Sequence, residues 1–207
     1  MVRTILRKKG LPIILGGDHG ITTPVLRAYD EVSPVTIIHI DAHLDWRDEV
    51  NGIKDGLSSP IRRASEMEHV KDIFQIGLRA QGSGRREEYD AAKAYGANLI
   101  TAYELHEVGM KAILDRIPDG GNYYLTIDAD GMDPSIMPAV DGPAPGGVTF
   151  VQMRQLIHGL VNKGRVVGMD IVEIQPSKDN ASNVTCVTAG RSIVNLIGAS
   201  IKAGYFD

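Results

Sequence analysis

Six short apolar runs, separated by longer polar or amphipathic stretches, are the feature that most constrains how these 207 residues can fold. The runs have the length and β-branched content of buried strands, and the stretches between them have the length and periodicity of helices. This alternation predicts βαβ units, and therefore a three-layer α/β/α architecture in which helices cover both faces of a mainly parallel sheet. The predicted strands cover residues 12–15, 35–40, 72–76, 98–101, 123–127 and 165–171, and the predicted helices cover residues 23–29, 60–67, 85–95, 108–116, 150–162 and 188–203.

Composition and charge narrow the class of protein. A hydrophobic content of 43% allows one sizeable core, which favours a single domain over residues 1–207. The net charge of −4 argues against nucleic acid as a partner. No membrane partner is expected, because no apolar run approaches the length needed to span a bilayer and the first residues lack a signal-peptide pattern. The single cysteine, Cys186, suits a reducing compartment, so we predict a cytoplasmic location.

Carboxylate and imidazole side chains follow four of the predicted strands. They stand in four segments, which are Gly16-Gly17-Asp18-His19, Asp41-Ala42-His43-Leu44-Asp45, Asp128-Ala129-Asp130 and Asp170-Ile171-Val172-Glu173. The carboxyl ends of parallel strands lie at one edge of a sheet, and ligands bind there in folds of this class. We therefore expect these side chains to converge on one site.

The second of these segments carries the strongest signal. Side chains alternate between the two faces of a strand, so Asp41, His43 and Asp45 are expected on one side where the strand ends. Carboxylates packed this closely repel one another unless a cation joins them. Taken singly, the other three segments fit helix caps, turns or solvated strand ends equally well. His39 lies further back along the same strand, and we interpret it as a buried histidine that supports the ligands.

The four segments together supply two imidazoles and four carboxylates, which is more than one ion needs. Such a set suits two divalent cations that share bridging carboxylates and lie about 3.5–4 Å apart, as in two-metal hydrolases. Oxygen ligands combined with some imidazole favour Mn²⁺, with Zn²⁺ or Co²⁺ as alternatives.

These motifs resemble those of the ureohydrolases, the family of arginases, agmatinases and guanidinobutyrases. The resemblance extends over essentially the whole chain and is carried by Gly-Gly-Asp-His at 16–19, Asp-Ala-His-Leu-Asp at 41–45, Ile-Asp-Ala-Asp-Gly-Met-Asp-Pro at 127–134 and Asp-Ile-Val-Glu at 170–173. Residues 60–64 and the pair Gly146-Gly147 look closer to agmatinases than to arginases.

The resemblance implies an arginase-like fold, a trimeric or hexameric assembly and a hydrolase that releases urea and an amine from a guanidino compound by attack of a metal-bound hydroxide. It also implies a di-manganese centre in which His19 and Asp45 hold one ion, His43 and Asp130 hold the other, and Asp41 and Asp128 bridge both. Glu173 would bind the substrate guanidinium, and Asp130 would return a proton to the leaving amine.

Two departures from the family pattern bear on the substrate. Leu57 occupies a position where agmatinases usually carry a proton-shuttling histidine, and the chain lacks part of the usual N-terminal region. Agmatine is the expected substrate, and the alternatives are guanidinobutyrate or another ω-guanidino acid, a catalytically silent metal-binding homologue, or a hydrolase of another amide or phosphate bond. Asp48, Glu49 and Asp55 are candidates to attract a distal ammonium, although a solvated loop explains them equally well.

Overall fold

The computed structural model describes residues 1–32 and 34–206, and in this part of the chain six strands form one parallel sheet. The strands are β1 Ile13–Leu15, β2 Val35–Ile40, β3 Val70–Leu78, β4 Asn98–Thr101, β5 Asn122–Asp128 and β6 Arg165–Val172, in the order β1-β6-β5-β2-β3-β4. The helices are α1 Val2–Arg7, α2 Thr22–Leu26, α3 Pro60–Ser65, α4 Arg86–Tyr95, α5 Ala102–Leu114, α6 Phe150–Lys163 and α7 Val184–Lys202.

Helices cover both faces of the sheet, which confirms the predicted three-layer architecture. Strand β2 is buried along its whole length, and its neighbouring residues Ile37 and Ile38 belong to two separate hydrophobic clusters. One cluster contains apolar residues of α5, α6 and α7, and the other contains residues of α2, α3 and α4. A strand that is buried on both faces is predominantly apolar, and four of the six residues of β2 are valine or isoleucine, which is why the sequence predicts this strand.

The structure departs from the prediction mainly at the ends of helices. Helix α5 begins six residues earlier than predicted, because the Thr101 hydroxyl caps it by accepting the N–H of Glu104 at 3.1 Å. Gly109 then interrupts it with a φ of 80°, which only glycine adopts readily. Helix α1 was not predicted; Val2 and Leu6 pack it against the cluster that contains α2, and Arg3 forms an exposed ion pair of 2.8 Å with Asp30.

The prediction that no segment has the length and apolar character needed to span a bilayer is corrected by helix α7. The helix has 19 residues, and an 18-residue window within it has a mean hydropathy of 1.3, so by length and composition alone it could cross a membrane. The same property is shared by core helices of globular proteins, and Leu196 on α7 is fully buried in the cluster that contains α6.

Close backbone packing at the carboxyl edge of the sheet gives a first test of the fold. A Cβ on Gly131 would lie 2.5 Å from the backbone nitrogen of Asp41, whereas one on Gly198, in α7, would have open space. We expect Gly131→Ala to lower the free energy of unfolding by at least about 2 kcal/mol, because backbone atoms must shift. Gly198→Ala should raise it by up to about 1 kcal/mol through helix propensity. Denaturant unfolding of the two variants measures this, and equal stabilities would contradict the packing.

Candidate metal centre

His19 reaches the carboxyl edge of the sheet through a sharp turn after β1. Gly16 and Gly17 have φ values of 69° and 76°, a left-handed conformation that favours glycine. The Asp18 carboxylate then accepts the N–H of Gly20 at 3.0 Å and starts a short 3₁₀ turn over His19–Ile21. As a result the His19 side chain points inward and is only 1% exposed.

Turns bring the acidic segments after β2 and β5 together. The prediction that Asp41, His43 and Asp45 share one side because side chains alternate along a strand is wrong. Strand β2 ends at Ile40, and the Asp41 carboxylate accepts the N–H of His43 at 2.6 Å. Asp45 then adopts a φ of 50°, which an extended strand does not allow. After β5, the Asp128 carboxylate likewise accepts the N–H of Asp130 at 2.9 Å.

The structure brings all six predicted ligand residues together, in two groups that meet at Asp41. In the first group, Nδ1 of His19 lies 3.0 Å from a carboxylate oxygen of Asp45 and 3.3 Å from oxygens of Asp41 and Asp128. In the second, Nδ1 of His43 lies 3.0 Å from Asp130 and 3.3 Å from Asp41. The two groups use different oxygens of Asp41, Oδ2 and Oδ1, which is the geometry of a bridging carboxylate.

The hydrogen bonds behind His19 decide what its Nδ1 can do. The Thr126 hydroxyl donates to Asp170 at 2.6 Å, so it can only accept from the Nε2–H of His19, 2.9 Å away. Nδ1 of His19 is buried and has no hydrogen-bond partner among the described residues. An unprotonated imidazole nitrogen aimed at three carboxylate oxygens is repelled by them, and either a proton on Nδ1 or a metal cation between these atoms removes the repulsion. The donor set therefore fits a divalent metal ion.

Without a metal, the cluster retains protons. Burial lowers the pKa of His19, but the carboxylates of Asp128, Asp41 and Asp45 raise it well above its usual value. The carboxylates of Asp130 and Asp41 likewise raise the pKa of His43 to about 11. Burial and the neighbouring Asp41 charge raise the pKa of Asp128 well above its usual value. A metal ion that binds here must displace these protons.

His39 supports the cluster from behind, as predicted. The Gln75 amide donates to Nδ1 of His39 at 3.0 Å and to the Leu44 carbonyl at 2.7 Å, which places the imidazole proton on Nε2. Nε2 then donates to Asp41 at 2.8 Å. Sequence reasoning missed Gln75, and it missed the Thr126–Asp170 pair; the available signal was a polar side chain in the middle of an otherwise apolar strand.

Glu173 lies beside the cluster on a cavity of about 490 Å³, whose lining includes His43, Asp45, Asp128 and Asp130. Its backbone has a φ of 61°, and one carboxylate oxygen accepts the N–H of His19 at 2.8 Å. Burial raises the pKa of the Glu173 carboxyl above its usual value. The cavity wall includes Leu57, which is 51% exposed, so the departure at that position faces the space next to the cluster.

The acidic residues that the sequence offered for attracting a distal ammonium, Asp48, Glu49 and Asp55, lie outside this cavity. Asp48 pairs with Arg63 at 2.7 Å and Asp55 pairs with Arg27 at 2.7 Å, and neither lines the cavity. Glu49 does not line the cavity either, whereas Arg47 of the same loop does. The sequence did not distinguish Arg47 from its acidic neighbours, because the choice depends on how the loop turns.

Known proteins resemble this chain in both sequence and structure. The sequence model of the Arginase family matches residues 1–198. The chain belongs to the arginase family. It is 35% identical over 186 residues to the guanidinobutyrase of Pseudomonas aeruginosa, a match that covers 86% of this chain and 57% of that protein. It is 32% identical to the agmatinase of Halalkalibacterium halodurans, over 95% of this chain and 66% of the relative.

The solved structures agree with the arginase-family fold. The agmatine ureohydrolase of Thermoplasma volcanium superposes with a TM-score of 0.82 at 32% identity, covering 99% of this chain and 67% of that one. The chain thus spans less than two thirds of the length of the two curated relatives named above.

The Thr126 contact gives a test of the ligand geometry. We expect Thr126→Val to weaken Mn²⁺ binding about 10- to 100-fold, because His19 loses the acceptor that orients its ring. Thr23→Val is the matched control, since the Thr23 hydroxyl is buried without a hydrogen-bond partner among the described residues. Calorimetric titration with Mn²⁺ measures both affinities, and equal weakening in the two variants would contradict a specific role for Thr126.

The raised pKa values of His19 and His43 predict that Mn²⁺ binding releases protons. Both imidazoles are protonated near neutral pH without metal and must be neutral to bind it, so affinity should rise with pH between about 6 and 8. Titrations in two buffers of different ionisation enthalpy give the number of protons released. His158→Gln, remote from the cluster, should leave that number unchanged. Binding with no net proton release would show that the imidazoles do not bind the metal.

Proposed function

We propose that this protein is a binuclear, manganese-dependent hydrolase that cleaves a linear guanidino compound to urea and an amine. The observation that carries the proposal is the Asp41 carboxylate, whose two oxygens face two separate imidazole groups beside Glu173. The guanidinobutyrase and agmatinase names of the two curated relatives support the same reaction class.

Six side chains would hold the metal ions in this proposal. His19 and Asp45 would bind one ion, His43 and Asp130 the other, and Asp41 and Asp128 both. Two divalent cations supply Lewis acidity, which lowers the pKa of water and stabilises negative charge in the transition state.

Glu173 would bind and orient the substrate guanidinium. One of its carboxylate oxygens is held by the His19 N–H, and the other makes no hydrogen bond within the described part of the chain. The backbone N–H of Glu173 donates to the Gly17 carbonyl at 3.0 Å and fixes the position of the side chain. A carboxylate held in this way presents an acceptor to a planar cation and sets its distance from the cluster.

Asp130 is suited to carry a proton to the leaving amine. Its Oδ1 accepts the N–H of Ala42 at 3.2 Å, and its Oδ2 lies 3.0 Å from His43. Burial raises the pKa of the Asp130 carboxyl above its usual value in the metal-free cluster. An amine expelled without a proton is a poor leaving group, so a protonated carboxyl next to it lowers the barrier.

The catalytically silent homologue is the second candidate, and Leu57 is the observation that favours it. An apolar side chain on the cavity wall cannot relay a proton. The complete cluster and Glu173 favour catalysis, because a silent protein has no need of a carboxylate that faces the substrate space. The single domain, the cytoplasmic location and the trimeric or hexameric assembly stay predictions from the sequence.

Urea release tests the proposal directly. Protein loaded with Mn²⁺ should release urea from agmatine, 4-guanidinobutyrate or both, and more slowly from arginine. Asp128→Asn, which removes a bridging charge, should lower kcat by about 10³-fold or more. Stoichiometric Mn²⁺ binding without urea from any of the three compounds would support the silent homologue instead.

Leu57 provides a separate measurement of the proton path. We expect Leu57→His to raise kcat by about tenfold, because a proton relay would then face the cavity. Leu57→Asn is the control, since it is polar but does not titrate. A rise of the same size in both variants would mean that polarity alone is responsible.

A further inference from the structure

We propose that Arg47 binds a carboxylate at the far end of the substrate, so that the preferred substrates are ω-guanidino acids and not guanidino amines. This inference rests on the proposed function and specifies its substrate class. It starts from Arg47 itself, which lines the same cavity as Glu173 and the cluster residues Asp45 and Asp128.

The Arg47 guanidinium is held in place but has unused donors. The backbone N–H of Arg47 donates to the Ser58 carbonyl at 3.0 Å, which fixes the base of the side chain. Nη2 donates to the Ser83 carbonyl at 3.2 Å, whereas Nη1 has no hydrogen-bond partner among the residues that the structure describes. The side chain is 27% exposed, so these donors are reachable from the cavity.

The acidic groups of the cavity wall already have partners. Glu88 is 9% exposed, and its Oε2 accepts the N–H of Arg85 at 2.8 Å. Its Oε1 forms an ion pair of 3.6 Å with Nε of Arg47, which orients the guanidinium without a hydrogen bond to it. Asp141 pairs with Lys178 at 2.5 Å. The wall therefore offers a guanidinium with a free Nη1, and its carboxylates Glu88 and Asp141 each already face a cation.

A substrate ammonium would be poorly received in this cavity. Asp48 and Asp55 are paired with arginines outside it, and Glu173 is needed for the guanidinium. An ammonium at the far end of the substrate would lie near the positive charge of Arg47. A carboxylate there would instead meet a planar fork of donors, which matches its geometry.

The rest of the wall suits the middle of such a substrate. Leu57, which is 51% exposed, provides apolar surface on the same wall, and the cavity volume of about 490 Å³ accommodates a short methylene chain. A compound of the 4-guanidinobutyrate type has a planar cation for Glu173, methylenes for the apolar wall and a planar anion for Arg47. The structure thus assigns one side chain to each part of the molecule.

The test compares three compounds that differ at the far end: 4-guanidinobutyrate, uncharged butylguanidine and agmatine. Wild-type protein with Mn²⁺ should have the highest kcat/KM for the acid, about 10- to 100-fold above butylguanidine, and the lowest for agmatine. Arg47→Met should bring the acid and butylguanidine to within about twofold, mainly through KM. Arg47→Lys, which keeps the charge and lowers the risk of misfolding, should retain part of the preference.

The matched control is Arg86→Met, because Arg86 is 93% exposed on α4 and does not line the cavity. It should leave the three-compound ratio unchanged. A preference for agmatine, or the same ratio in wild type and Arg47→Met, would overturn the role of Arg47 while leaving the proposed hydrolysis intact. If no compound released urea, the proposed function would fail. Calorimetric binding of 4-guanidinobutyrate, at least tenfold weaker in Arg47→Met, would then still support the subsite, and equal binding would overturn it.

Discussion

Repulsion among carboxylates that are crowded at one edge of a buried sheet is the constraint on which the rest of this structure depends. Asp41 is fully buried, and Asp128 and Asp130 are each less than a tenth exposed. Groups of like charge in such a place are tolerated only if protons or cations neutralise them. Without metal, the raised pKa values of His19 and His43 supply protonated imidazoles as the neutralising charge. A divalent cation performs the same task with more charge.

The interior of the sheet is built to orient these groups. Asp170 is completely buried on β6. Its carboxylate accepts hydrogen bonds from the hydroxyl groups of Tyr124 and Thr126 at 2.6 Å and of Thr22 at 2.9 Å. Three donors satisfy the buried charge, and Thr126 in turn orients His19. Strands β5 and β6 and helix α2 are therefore linked to one imidazole nitrogen. The hydrophobic layers exclude water from this network, which strengthens its hydrogen bonds.

Much of this arrangement is predictable from the sequence, for a physical reason. Strands that are buried on both faces are mostly apolar, so β2, β5 and β6 are visible as runs despite His39, Thr126 and Asp170, and parallel pairing then brings the residues after them to one edge. The convergence of Asp41 and Asp128 follows from topology, whereas His19 lies four residues after β1 and also needs the turn at Gly16 and Gly17. The turns that complete the cluster do not follow from topology, since the left-handed backbone of Asp45 depends on local packing that no periodic pattern records.

The supporting and wall residues were harder to predict because their roles depend on distant partners. Gln75 acts through His39, which is 36 residues away, and nothing near Gln75 in the sequence marks that contact. Arg47 and Asp48 are adjacent and both charged, yet Arg47 lines the cavity and Asp48 turns outward to Arg63. Only the path of the loop separates them.

The metal cluster and the cavity wall are supported by different kinds of structure. The cluster stands on strand ends, whose positions are fixed by the sheet, whereas the cavity wall comes from loops around residues 46–58, 82–84 and 141–142 and from Glu88 of α4. Arg79 connects the two levels, because its guanidinium donates to the carbonyls of Asp130 at 2.6 Å and Ala144 at 2.6 Å. It thereby ties the loop after β5 to the end of β3. Loops can change without moving residues that stand on strand ends, so under the proposed function the choice of substrate would depend on loop residues such as Arg47 and Leu57 and not on the metal ligands.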